Sequence, residues 1–238
     1  MTAMWWLICV WIALISGFSL LGSWYARRYA RPDMLIALYV TFVLVAQVLA
    51  AKVAAFDLGF KTFFGPAGVI VFSITFLLTD IVNERFGRKE TQRMVLIAFV
   101  SQAAMVVFFW LGAKLPPAPF WQLQGPWEQI FGLVPRITLA SWAAFLVSEN
   151  FDALSFAWFR KLTGGRHLWA RNVFSSIPAL ARDSLIFVPL AFVGSMPIWP
   201  LIAGQLAVKW LTGVIDVPFM YLNHYVLYGR RRPEVEAK

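Results

Sequence analysis

The sequence predicts an all-α polytopic membrane protein of about seven transmembrane helices, and three observations carry that prediction. Hydrophobic residues make up 60% of the 238 and charged residues only 14%, with a mean hydropathy of +0.69. A soluble domain is roughly 45–50% apolar. The apolar residues also fall in stretches close to the ~20 residues that a helix needs to cross a bilayer. Finally, Lys and Arg gather in short clusters at every second junction between those stretches.

Taken in chain order, the spans run over about 4–24, 34–55, 64–83, 94–114, 134–156, 173–195 and 198–227. The first lacks a basic n-region, exceeds the roughly 7–15 apolar residues of a signal peptide and runs into Arg27-Arg28, so it reads as a retained helix. The third ends in Thr79-Asp80-Ile81-Val82-Asn83-Glu84-Arg85, an apolar helix running into two acids and then a basic turn. Between the fourth and fifth, about Leu115 to Leu133, lies a Pro- and Trp-rich loop whose Trp121 and Trp127 suit the membrane interface. The sixth contains Pro178 and Pro189 and the seventh Gly213 and Pro218, which predict kinks or local unwinding.

Charge sets the orientation. Of the 21 Lys and Arg residues, 15 lie in the first, third and fifth connections and the tail, while Lys52, Lys61 and Lys114 alone occupy the others. Cytoplasmic loops carry the basic excess, so the N-terminus is expected outside and the C-terminus inside. The expected organisation is one membrane domain over 1–238. It comprises an additional N-terminal helix in 1–30, a six-helix core over 34–228 and a cytoplasmic tail at 229–238.

Several function classes fall away. The net charge of +9 lacks the basic stripe on a soluble face that nucleic-acid binding requires. Cys9, the one cysteine, cannot form an intrachain disulfide. His167 and His224 stand far apart without clustered carboxylates or thiols, so no metal site is expected. With no phosphate loop or nucleotide fingerprint, neither an enzyme nor a cofactor is expected; the weak catalytic ingredients are Glu149, Asp152 and His167.

Polar residues inside spans are the informative ones, because a charge at the bilayer centre costs roughly 2.5–3.5 kcal/mol on insertion scales and turns toward a partner or cavity. Asp80 and Glu84 share a helix face, with neutralisation of the neighbouring arginines as the plainer role. Ser141, Trp142, Ser148 and Asp152 mark the fifth span; Asp152 has Arg160 as an alternative partner. Asn172, Arg182 and Asp183 mark the sixth, and Arg182-Asp183 is a candidate interior salt bridge. In the seventh, Gln205, Lys209 and Asp216 are polar. Lys209 lies about ten residues from either span end, too deep to snorkel, so a buried partner is expected, Asp183 or Asp216.

The run Phe76-Leu77-Leu78-Thr79-Asp80-Ile81-Val82-Asn83-Glu84-Arg85-Phe86-Gly87-Arg88-Lys89 resembles the signature of the queuosine precursor transporters, also called the vitamin uptake transporter family. The resemblance continues in Pro135-Arg136-Ile137 through Ser141 and Asp152, His167 to Asn172, Arg182 to Phe187, and Lys209 with Asp216-Val217-Pro218, spanning about residues 34 to 225. The chain departs from the family pattern in carrying Pro66 well before the aspartate helix and Ser184 after Asp183.

This resemblance implies an inner-membrane carrier that brings 7-cyano-7-deazaguanine, 7-aminomethyl-7-deazaguanine or queuine into the cytoplasm. Its implied fold is a six-helix core like that of vitamin-binding S-components, preceded by an extra helix. The alternative is a substrate-binding subunit for another small planar vitamin or base that depends on a separate energising module. The implied partners are the small molecule and the bilayer, with a homodimer admitted. A 7-deazaguanine wants an acid for its donor edge, a donor for its oxygen and a stacking plane. Asp183 or Asp80 could supply the acid, Asn172 or Lys209 the donor, and Trp142, Trp169 or Phe187 the plane. Glu84, Ser141, Asp152 and Asp216 complete the candidate contacts.

Overall fold

The computed structural model describes residues 2–57, 59, 61–162 and 168–228; within these, the side chains of 2–5, 8, 15, 149–162, 168–179, 214, 216, 217 and 220 are not described. Helices dominate: α1 (Thr2–Tyr29), α2 (Asp33–Leu49), α3 (Val69–Phe86), α4 (Arg88–Lys114), α5 (Gln124–Phe131), α6 (Val134–Leu162), α7 (Leu168–Phe192) and α8 (Ile198–Tyr228). Between α2 and α3 stands an antiparallel hairpin of β1 (Val53–Asp57) and β2 (Thr62–Pro66), with Val53 opposite Pro66 and Asp57 opposite Thr62.

Among the described residues, Cys9–Tyr29, Arg88–Lys114 and Gln124–Ser148 are long and apolar enough to cross a bilayer, and Asp33–Leu49 is a shorter apolar helix. The surface agrees. Leu96, Val100, Val107, Phe108 and Leu111 on α4 are all exposed, Phe108 by 70%. Water would not tolerate so long an apolar helix face, whereas lipid tails are as apolar as leucine. The chain is a multi-pass α-helical membrane protein.

Two expectations change. The second and third apolar runs do not extend as helices to residue 55 and from residue 64, because the hairpin occupies that stretch. Its turn is closed by Asp57, whose Oδ1 accepts from the Gly59 amide at 2.9 Å, and Gly59 sits at φ 87°, a conformation that favours glycine. Pro66, having no amide hydrogen, sits at the end of β2 where no ladder bond is lost. Local unwinding at the prolines is not seen either, since α7 runs as one helix past Pro178 and Pro189 and α8 past Pro218. A proline removes one helical hydrogen bond, and in a membrane span the rest of the ladder has every reason to persist. The connection between α4 and α6 holds a further surprise in the short α5, whose Trp127 ring lies 4.1 Å from that of Phe131, itself 4.8 Å from Phe109.

The packing divides the chain into two compact units. The first, Met1–Ala46, Ile70–Met105 and Leu211–Lys238, has a core of Leu35, Tyr39, Val43, Leu77, Leu78, Val82 and Met94. Here α1 is tied in by polar contacts: Trp11 Nε1 donates to the Ile70 carbonyl at 2.7 Å, Ser23 Oγ donates to Asn223 Oδ1 at 2.7 Å, and Asn223 Nδ2 donates to Ser19 Oγ at 3.1 Å. Ser19, Ser23 and Asn223 are buried. Small residues let the helix backbones approach closely enough for such bonds.

The second unit is Gln47–Val69 and Val106–Trp210. Its core joins Ile137, Ala140 and Ala144 of α6, Phe187, Val188, Ala191 and Phe192 of α7, and Leu201 and Ile202 of α8. Arg136 fixes the register of α6 on α7: its Nε donates to the Leu190 carbonyl at 2.8 Å and its Nη2 to the Val193 carbonyl at 2.7 Å. The last carbonyls of a helix have no partner within it, so one guanidinium completes the C-terminal end of α7. The hairpin backbone lies flush on α8, where a β-carbon at Gly204 would stand 1.8 Å from the Phe64 carbonyl oxygen. Only glycine fits there.

Candidate functional site

The polar centre of the second unit is an ion pair. Lys209 Nζ donates to Asp183 Oδ2, joining α8 to α7; the lysine side chain is 3% exposed and the aspartate 13%. Asp183 lies nine residues before the end of α7 and Lys209 eleven after the start of α8. At ~1.5 Å per residue these are depths of about 14 and 16 Å from the connecting turn. That is about half of the ~30 Å hydrocarbon thickness.

The helix patterns explain why the two side chains meet. On α8, Leu201, Ile202, Gln205, Val208, Lys209 and Thr212 are all buried and recur at helical spacing, so Lys209 is carried on the inward face. On α7, Ser184, Phe187, Val188 and Ala191 are buried, and Asp183 stands one turn before Phe187. Arg182 is rotated about 100° round the helix from Asp183. Of the two partners expected for Lys209, Asp183 is the one the structure supplies. The Asp216 side chain lies outside the described residues.

Counting equal rise from the Arg136 contact puts Ala144 of α6 level with Asp183, with Ser141 and Trp142 within about one turn of that depth. Both are half-buried. Phe187 is buried and meets Phe192 edge to face at 5.9 Å, so its ring is part of the core. The side chains of Asp152, Trp169 and Asn172 lie outside the described residues, as does His167 entirely.

In the first unit, Asp80 and Glu84 are exposed on α3. Glu84 Oε1 lies 3.1 Å from His224 Nε2 of α8, and the Tyr228 hydroxyl donates to the Glu84 carbonyl at 3.4 Å. His224 stacks obliquely on Tyr228 at 4.8 Å, and the Arg85 guanidinium lies over the Tyr228 ring at 5.5 Å. This group has the mixed charge and aromatic character of a membrane boundary. Among the described residues no three His, Cys, Asp or Glu side chains are grouped as metal ligands would be.

The site also holds a residue absent from the sequence-derived contacts. Gln205, one turn before Lys209 on the same inward face, is buried, and its Oε1 has no hydrogen-bond partner among the described residues. The sequence shows Gln205 as a polar residue of the seventh span, but that its oxygen goes unmet is visible only in the structure.

A buried lysine and aspartate offer a donor and an acceptor side by side in low dielectric. Burying such a pair carries a desolvation penalty of several kcal/mol per ion before their attraction is counted. Ionisable groups held at this depth mark substrate or ion pathways in membrane proteins.

Comparison with known proteins agrees with this description. A family profile described as "putative vitamin uptake transporter" matches residues 66–223. A "Probable queuosine precursor transporter" of Bacillus subtilis (strain 168) is 30% identical over 159 residues, covering 65% of this chain and 69% of that protein. A protein of the same description from Haemophilus influenzae (strain ATCC 51907 / DSM 11121 / KW20 / Rd) is 28% identical over 150 residues, covering 62% of this chain and 59% of its own length. No solved structure matches the chain. The matched region runs from the end of β2 to Asn223 and takes in the whole of α7 and both members of the buried pair. With most of its length matched to that profile, this chain belongs to the vitamin uptake transporter family, a family of transporters rather than enzymes.

Proposed function

We propose that this chain imports a queuosine precursor, 7-cyano-7-deazaguanine, 7-aminomethyl-7-deazaguanine or queuine, across the inner membrane into the cytoplasm. It does so by alternating access around a site built on Asp183 and Lys209. The observation that carries this reading is the buried Asp183–Lys209 pair at half the depth of the helices. The descriptions of the two relatives point to the same substrate class.

The chemistry is complementary. The base edge of a 7-deazaguanine presents N1–H and an exocyclic amine as donors, with O6 beside them as an acceptor. Asp183 takes a donor and Lys209 supplies one to O6, so the ligand exchanges one buried ion pair for hydrogen bonds to both members. Trp142, at nearly the same depth on α6, supplies a stacking plane for the flat ring. Ser141, Phe187, Asp152, Trp169 and Asn172, all of the second unit, are the remaining proposed contacts, and no covalent step or cofactor is involved. Seven spans with the N-terminus outside and the C-terminus inside follow from the charge distribution.

The test is uptake. Cells that cannot synthesise the precursor and lack this gene are fed 7-cyano-7-deazaguanine, and queuosine in their tRNA is measured. The wild-type chain should restore the modification, whereas Asp183→Asn should insert in the membrane and fail to restore it. Normal tRNA queuosine in the deletion strain itself, fed at the same low concentration, would contradict the proposal.

A further inference from the structure

Three buried polar atoms of the second unit find no hydrogen-bond partner among the described residues: Thr138 Oγ1 and Ser148 Oγ on α6, and Gln205 Oε1 on α8. They are not equivalent. A hydroxyl can turn to the carbonyl one helical turn back, as Thr41, Thr79 and Ser184 do. The carbonyl oxygen of an amide can only accept, and the amide hydrogens of a helix interior are already committed to its own ladder. Gln205 therefore has no local remedy, and at 4% exposure it has little contact with bulk solvent. Leaving such an acceptor unmet is one of the larger penalties a folded chain can carry.

Its surroundings hold it in place. Gly204 has its Cα against the Phe64 carbonyl, and a β-carbon on Gly65 would lie 3.4 Å from the Gln205 amide nitrogen. The hairpin backbone thus pins α8 at the residue that bears the orphan acceptor, so the helix cannot rotate to relieve it. Gln205 shares the inward face of α8 with Lys209, one turn away. Asp183 shares its carboxylate with Lys209. A guanine-type edge brings two adjacent donors, and Gln205 Oε1, one turn from Lys209, is an acceptor with no other claim on it among the described residues.

We propose that Gln205 is a specificity-determining residue whose Oε1 accepts the exocyclic amine of a 7-deazaguanine while Asp183 holds N1–H. This rests on the proposed function of the Asp183–Lys209 pair. It assigns Gln205 the task of distinguishing bases that carry the amine from those that lack it. A site built to hydrogen-bond a ligand N–H rejects the analogue without it.

The experiment compares binding of 7-deazaguanine and 7-deazahypoxanthine, which differ only in that amine, to the purified full-length chain in detergent. Wild type should prefer 7-deazaguanine by about tenfold or more, the size of one buried hydrogen bond. Gln205→Met, which keeps the length and removes the acceptor, should bind the two equally, with an unfolding temperature no lower than wild type. Gln205→Glu keeps an acceptor and should keep the preference. If Gln205→Met retains the full preference, or Gln205→Glu loses it, Gln205 does not read the amine, although the pair still binds the base. If wild type binds neither compound, the proposed function fails and this inference with it.

Discussion

Two buried polar clusters tie helices to α8, and they are built on opposite principles. In the first unit Ser19, Ser23 and Asn223 are neutral, and each donor meets an acceptor: Asn223 Nδ2 also reaches the Phe219 carbonyl at 2.8 Å, and Ser19 Oγ the Ser16 carbonyl at 3.2 Å. In the second unit Asp183 and Lys209 are ionisable, paired with each other, and accompanied by an amide oxygen that accepts nothing among the described residues. The first cluster is complete as it stands, which is what a helix clamp requires. The second carries penalties that packing alone does not call for, and such incompleteness is what a ligand can relieve.

Breaking the charged pair should have the largest effect. Asp183→Asn or Lys209→Met alone leaves one charge buried without its partner, a loss of about 3–5 kcal/mol of stability. The double variant Asp183→Asn/Lys209→Met removes both charges and should recover most of that in thermal unfolding while remaining inactive in uptake. Recovery of uptake along with stability would reduce the pair to scaffolding.

Gly204→Ala comes next. A methyl group aimed at the Phe64 carbonyl forces the hairpin and α8 apart. Overpacking of this kind costs about 1–3 kcal/mol. Because the strain falls beside Gln205, uptake should fall with it. An unfolding temperature equal to wild type would show that the hairpin does not pin α8.

For the neutral clamp the expected effect is smaller and of another kind. Asn223→Ala should lower stability by about 1 kcal/mol, the scale of interhelical hydrogen bonds in membranes, and leave ligand affinity unchanged. A large loss of affinity would erase the contrast between the two clusters. The smallest effect belongs to Glu84→Gln, because Glu84 and His224 are 43% and 36% exposed. Exposed pairs contribute about 0–1 kcal/mol, and unfolding measured with and without added salt should barely separate this variant from wild type.

The sequence made the membrane class, the helical architecture and the identity of the anomalous lysine legible, because an apolar run of bilayer length and a cation in its middle are local signals. It narrowed the partner of Lys209 to Asp183 or Asp216 and could go no further. Choosing between them depends on the register of α7 against α8, set by packing across 26 residues of chain. The hairpin was hidden because its residues are as apolar as a span; Asp57 with Gly59 and Gly65-Pro66 were the turn and breaker signals available. Arg136 lies near the start of the fifth span, but its task of completing the end of α7 needs a neighbour 54 residues away. Gln205 was visible as a polar residue of the seventh span but not as a ligand contact, because an unmet acceptor is a property of three-dimensional surroundings.

The central claim is that the Asp183–Lys209 pair receives the base, and direct binding to purified protein tests it. The Asp183→Asn/Lys209→Met chain should unfold as cooperatively as wild type and show no saturable binding of 7-cyano-7-deazaguanine at concentrations that fill the wild-type site. Binding of that ligand by the folded double variant with wild-type affinity would contradict the account.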